Sequence, residues 1–121
     1  MDSPRVALIR RLFDHIERND LQGSLDELLE HSADDVVFEP HAAHGQEIRG
    51  PDALREFWAR FAEEGRQIRA GVYSITEEGD TVIVSGWIRT IDEGRLADTQ
   101  ARWIYRFDEE GKIVSAGVER A

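Results

Sequence analysis

One acid stands at the end of an apolar stretch. In Val36-Val37-Phe38-Glu39-Pro40, Glu39 follows three apolar residues and precedes a proline, which has no backbone N–H to give a sheet ladder. A carboxyl held among apolar neighbours favours its protonated form and suits general acid or base work. The plainer reading is a solvated or ion-paired acid near a sheet edge. Two histidines follow, His41 and His44, in His-Ala-Ala-His. Imidazoles titrate near neutral pH and can pass protons at a pocket mouth. As metal ligands they need a third partner, and Glu39 and Glu47 are the nearby acids. His-x-x-His in a loop is a weak signal, the bland alternative is exposed loop histidines, and no metal is assigned. His15 and His31 fall on helical segments and read as surface residues. Arg89 is a further candidate. If it faces an interior it needs a counter-charge, either Glu39 or a ligand carboxylate.

The bulk composition limits what these groups can serve. The chain has 121 residues, enough for one domain spanning 1–121 with its own core. It has no cysteine, which removes disulfides, thiol nucleophiles and thiolate metal sites. Its 25 acids against 15 bases give a net charge of −10, which disfavours nucleic acid and anionic membranes as partners. No signal-like or membrane-length apolar run is present, so a cytoplasmic protein is the expectation. No cofactor is called for.

The elements that must position Glu39 can be read in order. Ser3-Pro4 is a helix start, with Ser as N-cap and Pro at the first helical position. Val6, Ile9, Leu12, Phe13 and Ile16 then recur at helical spacing. Asn19-Asp20 breaks this helix, and Asp20 caps a second with Leu21, Leu25, Leu28 and Leu29 on one face. Gly23 weakens its first turn. Residues 32–35 read as a turn into a strand over Val36 to Glu39. Gly50-Pro51 opens a third helix with Leu54, Phe57, Trp58 and Phe61 at i, i+3, i+4 and i+7. Strands over 67–76, 81–91, 96–107 and 113–118 follow, separated by turns that each contain glycine. The expected fold is α+β: a curved antiparallel sheet wrapped around helices, with three N-terminal helices and a C-terminal four-strand meander.

This order resembles the nuclear-transport-factor-two-like cone fold. The resemblance is carried by Asn19-Asp20-Leu21-Gln22-Gly23, by Ala-Asp-Asp-Val-Val-Phe-Glu-Pro at 33–40, and by Ile-Arg-Gly-Pro-Asp-Ala-Leu-Arg-Glu-Phe-Trp at 48–58. The hairpin stretches at 79–84 and 105–114 add to it. Within that superfamily the chain is most similar to SnoaL-like polyketide cyclases and ketosteroid isomerases. Fold does not settle function, so each catalytic position must be carried over separately. The resemblance puts Glu39 at the isomerases' general base. Their oxyanion tyrosine on the first helix falls on Leu12 or Phe13, and their protonated acid on the penultimate strand falls on Trp103. Neither place holds a replacement donor of the right kind. An oxyanion donor is worth on the order of 3 kcal/mol, so ketosteroid isomerase activity itself is not expected. The epoxide hydrolases of this fold use an Asp–Arg–Asp set. Arg89 offers the arginine, but no two acids clearly flank it.

Strand parity, registered on the resemblance, points Ile83, Ser85, Trp87 and Arg89 into the cone. Trp103, Tyr105 and Phe107 point in from the next strand, and Ala116 and Val118 from the last. With Phe13, Phe57 and Trp58 from the helices, the expected ligand-binding set is Phe13, Phe57, Trp58, Trp87, Arg89, Trp103, Tyr105 and Val118. Glu39, His41 and His44 form the catalytic set. The alternative is a solid aromatic core without a cavity. The leading expectation is a small-molecule pocket protein for a hydrophobic cyclic ligand, acting if catalytic as a cofactor-independent isomerase, cyclase or dehydratase. In that case Tyr105 or the Trp58 N–H orients the ligand oxygen. The alternatives are a non-catalytic ligand-binding module and a dimerisation module. The resemblance also implies a homodimer through the outer sheet face, where Arg102, Ile104 and Arg106 lie.

Overall fold

The N-cap and proline at the chain start do what their chemistry demands. In the computed structural model, which describes residues 2–40 and 46–121, helix α1 runs Pro4–Glu17. Ser3 accepts a hydrogen bond from the Val6 N–H at 3.2 Å. Helix α2, Leu21–Glu30, is capped by Asp20, whose carboxylate accepts from the Gly23 N–H at 3.0 Å. Helix α3, Pro51–Glu63, begins after Gly50, whose φ of 85° suits only glycine comfortably. The Gly50 N–H donates to the Val36 carbonyl at 2.8 Å and ties the start of α3 to the first strand.

The strands are β1 (Ser32–Glu39), β2 (Ile48–Arg49), β3 (Gln67–Glu78), β4 (Thr81–Asp92), β5 (Arg95–Phe107) and β6 (Ile113–Arg120). They form a six-stranded sheet in the order β2-β1-β6-β5-β4-β3. The expected four-strand meander is present as β3 to β6. The sheet as a whole is mixed, because β1 lies parallel to β6. β1 also begins earlier than expected: Ser32 pairs with Ile113, and a register irregularity follows before Val37 pairs with Ser115. Ala33, Asp34 and Asp35 thus belong to an irregular strand start and not to a turn.

The core sits between the helices and the inner sheet face. Ile9, Leu12 and Phe13 of α1 and Leu54 of α3 are buried against Val36, Val82, Val84 and Ile88. On α3, Leu54 and Phe61 are buried while Phe57 and Trp58 are half-buried. Trp58 makes edge-to-face contacts with Phe57 at 5.1 Å and Phe61 at 4.9 Å.

The face assignment of β4 is the reverse of the expectation. Val82, Val84, Gly86 and Ile88 are buried, so Ile83, Ser85, Trp87 and Arg89 lie on the outer face. The cause is steric and involves two glycines. A Cβ on Gly86 would run into the Gly71 carbonyl and come within 3.2 Å of the Trp103 ring. Gly86 is therefore the inward position that lets the large indole of Trp103 lie against the sheet. On the other face, a Cβ on Gly71 would collide with the Trp87 indole. Trp87 covers the bare backbone of β3 from outside, and it does not line the interior.

Candidate functional site

A cavity of about 120 Å³ lies between the helices and the inner sheet face. From α1, Leu12 and Ile16 reach it; from α2, Leu21, Ser24, Leu25 and Leu28. Leu54 and Trp58 of α3 add another wall. The sheet floor includes Phe38, Ala70, Ile88, Trp103, Tyr105, Ala116 and Val118. This is an apolar concavity with a few polar atoms, the usual character of a small-molecule site. An apolar void of roughly 150 Å³ takes up benzene, so the space is of the order of one six-membered ring.

Of the expected ligand-binding set, Trp58, Trp103, Tyr105 and Val118 line the cavity together. Phe13 is buried behind it, edge-to-face with Trp103 at 4.9 Å, and holds that ring in place. Phe57 packs on Trp58 and is not part of the lining. Trp87 and Arg89 are corrections, because both lie on the outer face. Arg89 donates two hydrogen bonds to Asp98, at 2.7 and 2.9 Å, across the β4–β5 ladder. The same pair holds the Asp98 carboxyl below its ordinary range. Arg89 is thus neutralised by a cross-strand partner and is no interior counter-ion for Glu39 or for a ligand.

Glu39 sits at the rim, not inside. It is exposed and ends β1 directly opposite Gly117. Gly117 pairs with Ile104 on the outer face, and a Cβ on Gly117 would lie 3.8 Å from that of Glu39. The Glu39 side chain therefore starts from the outer face, beside a groove lined by Val37, Ile104 and Arg106. An acid enclosed by apolar neighbours, as expected from the sequence, is not what the register produces. His41 and His44 lie outside the described residues. Among the described residues, no group of three His, Asp or Glu side chains is gathered as a metal set.

The Tyr105 phenol stays neutral, because burial pushes its pKa up. Helix α2 as a cavity wall, and Ser24 within it, are missing from the sequence expectation. The signal was present: a serine interrupts the apolar stripe of Leu21, Leu25 and Leu28.

What holds α2 against α1 is polar. His15 Nδ1 lies 3.0 Å from Asp20 Oδ2, and its Nε2 lies 3.1 Å from Glu27 Oε2. Arg11 also donates to Glu27 at 2.5 Å. His15 is half-buried in this clamp and is not the free surface residue expected. Gly23 is explained here, since a Cβ would strike the Asp20 carboxylate and come within 2.8 Å of His15 Nδ1. An alanine in a helix interior is normally better than glycine by roughly 1 kcal/mol. Gly23→Ala is expected to reverse that sign and lower the urea midpoint; a raised midpoint would contradict the clamp.

The clamp also fixes a pH dependence. Asp20 is held low by the Gly23 N–H first and by His15 second, and Glu27 by Arg11 first. A depressed carboxylate contributes stability that is fully present above its unfolded value and lost as pH falls. For Glu27 the loss begins near its ordinary value of 4.5 and grows below it. Stability is thus expected to fall on acidification through that range, and less steeply in Glu27→Gln. Parallel urea titrations of the two proteins at several pH values check this.

Comparison with known proteins matches the chain to the SnoaL-like domain family over residues 9–116. The sequence has no match among curated proteins. Among solved structures, it is similar to an NTF2-like protein of unknown function from Burkholderia pseudomallei. That pair is 21% identical, with a TM-score of 0.80, covering 99% of this chain and 92% of the other. It is similar to a SnoaL-like polyketide cyclase, so named without proof of activity, from Jannaschia sp. CCS1. There the identity is 20% and the TM-score 0.74, covering 98% and 89% of the two chains. TerC, crystallised with polyporic acid, is 20% identical with a TM-score of 0.77, covering 98% and 92%. At these identities the structures establish a shared NTF2-like fold. The family match spans most of the chain, and the chain belongs to the SnoaL-like domain family.

Proposed function

We propose that this protein binds a small, mainly apolar, ring-containing molecule in the cavity between its three helices and the sheet. One observation carries the reading: among the described lining residues, Glu39 at the rim is the sole charged group, and the remainder is apolar or neutral. Burying apolar ligand surface there is favourable at roughly 25 cal/mol per Å², and the one lining charge, Glu39, is exposed at the rim. The structure of TerC with polyporic acid supports small-molecule binding as a use of this fold. Native mass spectrometry of the purified protein tests the reading. A bound small molecule that is lost when the cavity is filled by mutation supports it, and a ligand that survives filling counts against it.

Proton transfer is the second reading, favoured by the position of Glu39 at the mouth. In it Glu39 takes a proton next to a ligand carbonyl or hydroxyl carbon, as in isomerisation, cyclisation or dehydration. Its test is Glu39→Gln with a ligand that turns over. Lost turnover with retained binding supports catalysis, and unchanged turnover removes Glu39 from it.

We also infer a homodimer through the outer sheet face. Ile83, Trp87 and Ile104 are half-buried there, and Tyr73 and Leu96 are 64% and 61% exposed. Sedimentation equilibrium showing only monomer at high concentration would remove this inference.

A further inference from the structure

We propose that the cavity selects an un-ionised ring compound bearing one hydroxyl or carbonyl oxygen, and that Ser24 and Tyr105 hold that oxygen. This rests on the small-molecule reading above and names its ligand class. Ser24 of α2 is 6% exposed and Tyr105 of β5 is 8% exposed, and both line the cavity. One comes from the helical wall and the other from the sheet floor. Neither hydroxyl makes a hydrogen bond with any described residue, unlike the other buried serine, Ser32, which donates to the Leu28 carbonyl at 2.6 Å. The Asp20 carbonyl, which a serine at position 24 commonly reaches, accepts from the Ser24 backbone N–H at 3.1 Å and not from its hydroxyl.

Buried hydroxyls nearly always have a partner. Among the described residues, no side-chain oxygen or nitrogen is both fully sealed and unpartnered. The two hydroxyls are therefore open to the cavity, and their partner is whatever occupies it. Each can donate and accept, so a carbonyl or a hydroxyl suits them equally. An anion does not fit. Among the described residues the lining holds no Lys, Arg or His, so a carboxylate or phosphate would lose its water without a counter-charge. At about 120 Å³, the space limits the ligand to about one ring.

Three one-ring probes of similar shape test this: toluene, phenol and benzoate, titrated into the full chain and followed by backbone amide shifts. Phenol is expected to bind about 2- to 12-fold tighter than toluene, the range of one net neutral hydrogen bond, and benzoate most weakly. Tyr105→Phe is expected to bring the phenol-to-toluene ratio close to one, and Ser24→Ala to lower it. Alanine is the better helix former, so Ser24→Ala keeps the test open even if Tyr105→Phe fails to fold. Equal affinities for phenol and toluene overturn the proposal, because water then satisfies the hydroxyls. So does a ratio unchanged in both variants, or benzoate binding tightest. Failure of all three probes to bind overturns the small-molecule reading itself.

Discussion

Trp103→Ala is expected to destabilise the protein by about 3–5 kcal/mol, the range for deleting a buried aromatic. Trp103 is 8% exposed and packs edge-to-face on Phe13 at 4.9 Å. Its ring lies over Gly86, whose missing side chain leaves room for it. Truncation removes the contact with α1 and widens the cavity at once, and the surrounding strand backbone cannot collapse to refill it. Trp87→Ala is the control. Trp87 is half-buried on the outer face, so its loss should cost clearly less. Urea unfolding of both variants, with the slope unchanged, checks the pair. Equal losses would contradict the face assignment of β4, which distinguishes one tryptophan from the other.

Ala116→Phe is expected to weaken ligand binding by about 5- to 150-fold, equivalent to the 1–3 kcal/mol of overpacking it would impose on the bound state. Ala116 pairs with Tyr105 on one side and with Phe38 on the other, so its Cβ shares their inward face. A ring placed there enters space that is already empty. The free protein should therefore keep its stability while the site is filled. Calorimetric titration with phenol, alongside thermal unfolding of the free variant, separates the two effects. Undiminished binding would place the ligand elsewhere.

These two variants also mark where the sequence was legible. Helix boundaries were readable because they depend on local chemistry: Ser3-Pro4, Asp20 and Gly50-Pro51 each signal a start without tertiary help. The inward set on β5 was readable because Trp103, Tyr105 and Phe107 alternate with arginine at 102 and 106. On β4 the alternation is ambiguous, since Val82, Ile83 and Val84 are all apolar and Gly86 has no side chain to mark its face. The face is set by Gly71 and Gly86 on adjacent strands, a contact between residues distant in sequence. The parallel pairing of β1 with β6 has no local signal either, because it joins residues 32–39 to residues 113–120, far apart in sequence.

For the site, the difference was one of direction. Glu39 ends β1, as Pro40 after it implies, but pairing with Gly117 turns it outward to the rim. Arg89 was expected to require an interior counter-charge, and Asp98 satisfies it on the outside. A lone serine in a leucine-rich helix carries little meaning in the sequence, and Ser24 gains one only where packing of α2 brings it to the cavity wall. The result is an apolar pocket with an acid at its mouth.

The interior holds an accessible apolar cavity of about 120 Å³ and not a solid aromatic core. Diffraction from crystals pressurised with xenon tests it most directly, because xenon enters dry apolar voids of this size. A xenon atom is expected among Leu25, Ile88 and Trp103 in the native chain, and none at that place in Ala116→Phe. A native crystal that takes up xenon only on its outer surface would mean that the interior is solid.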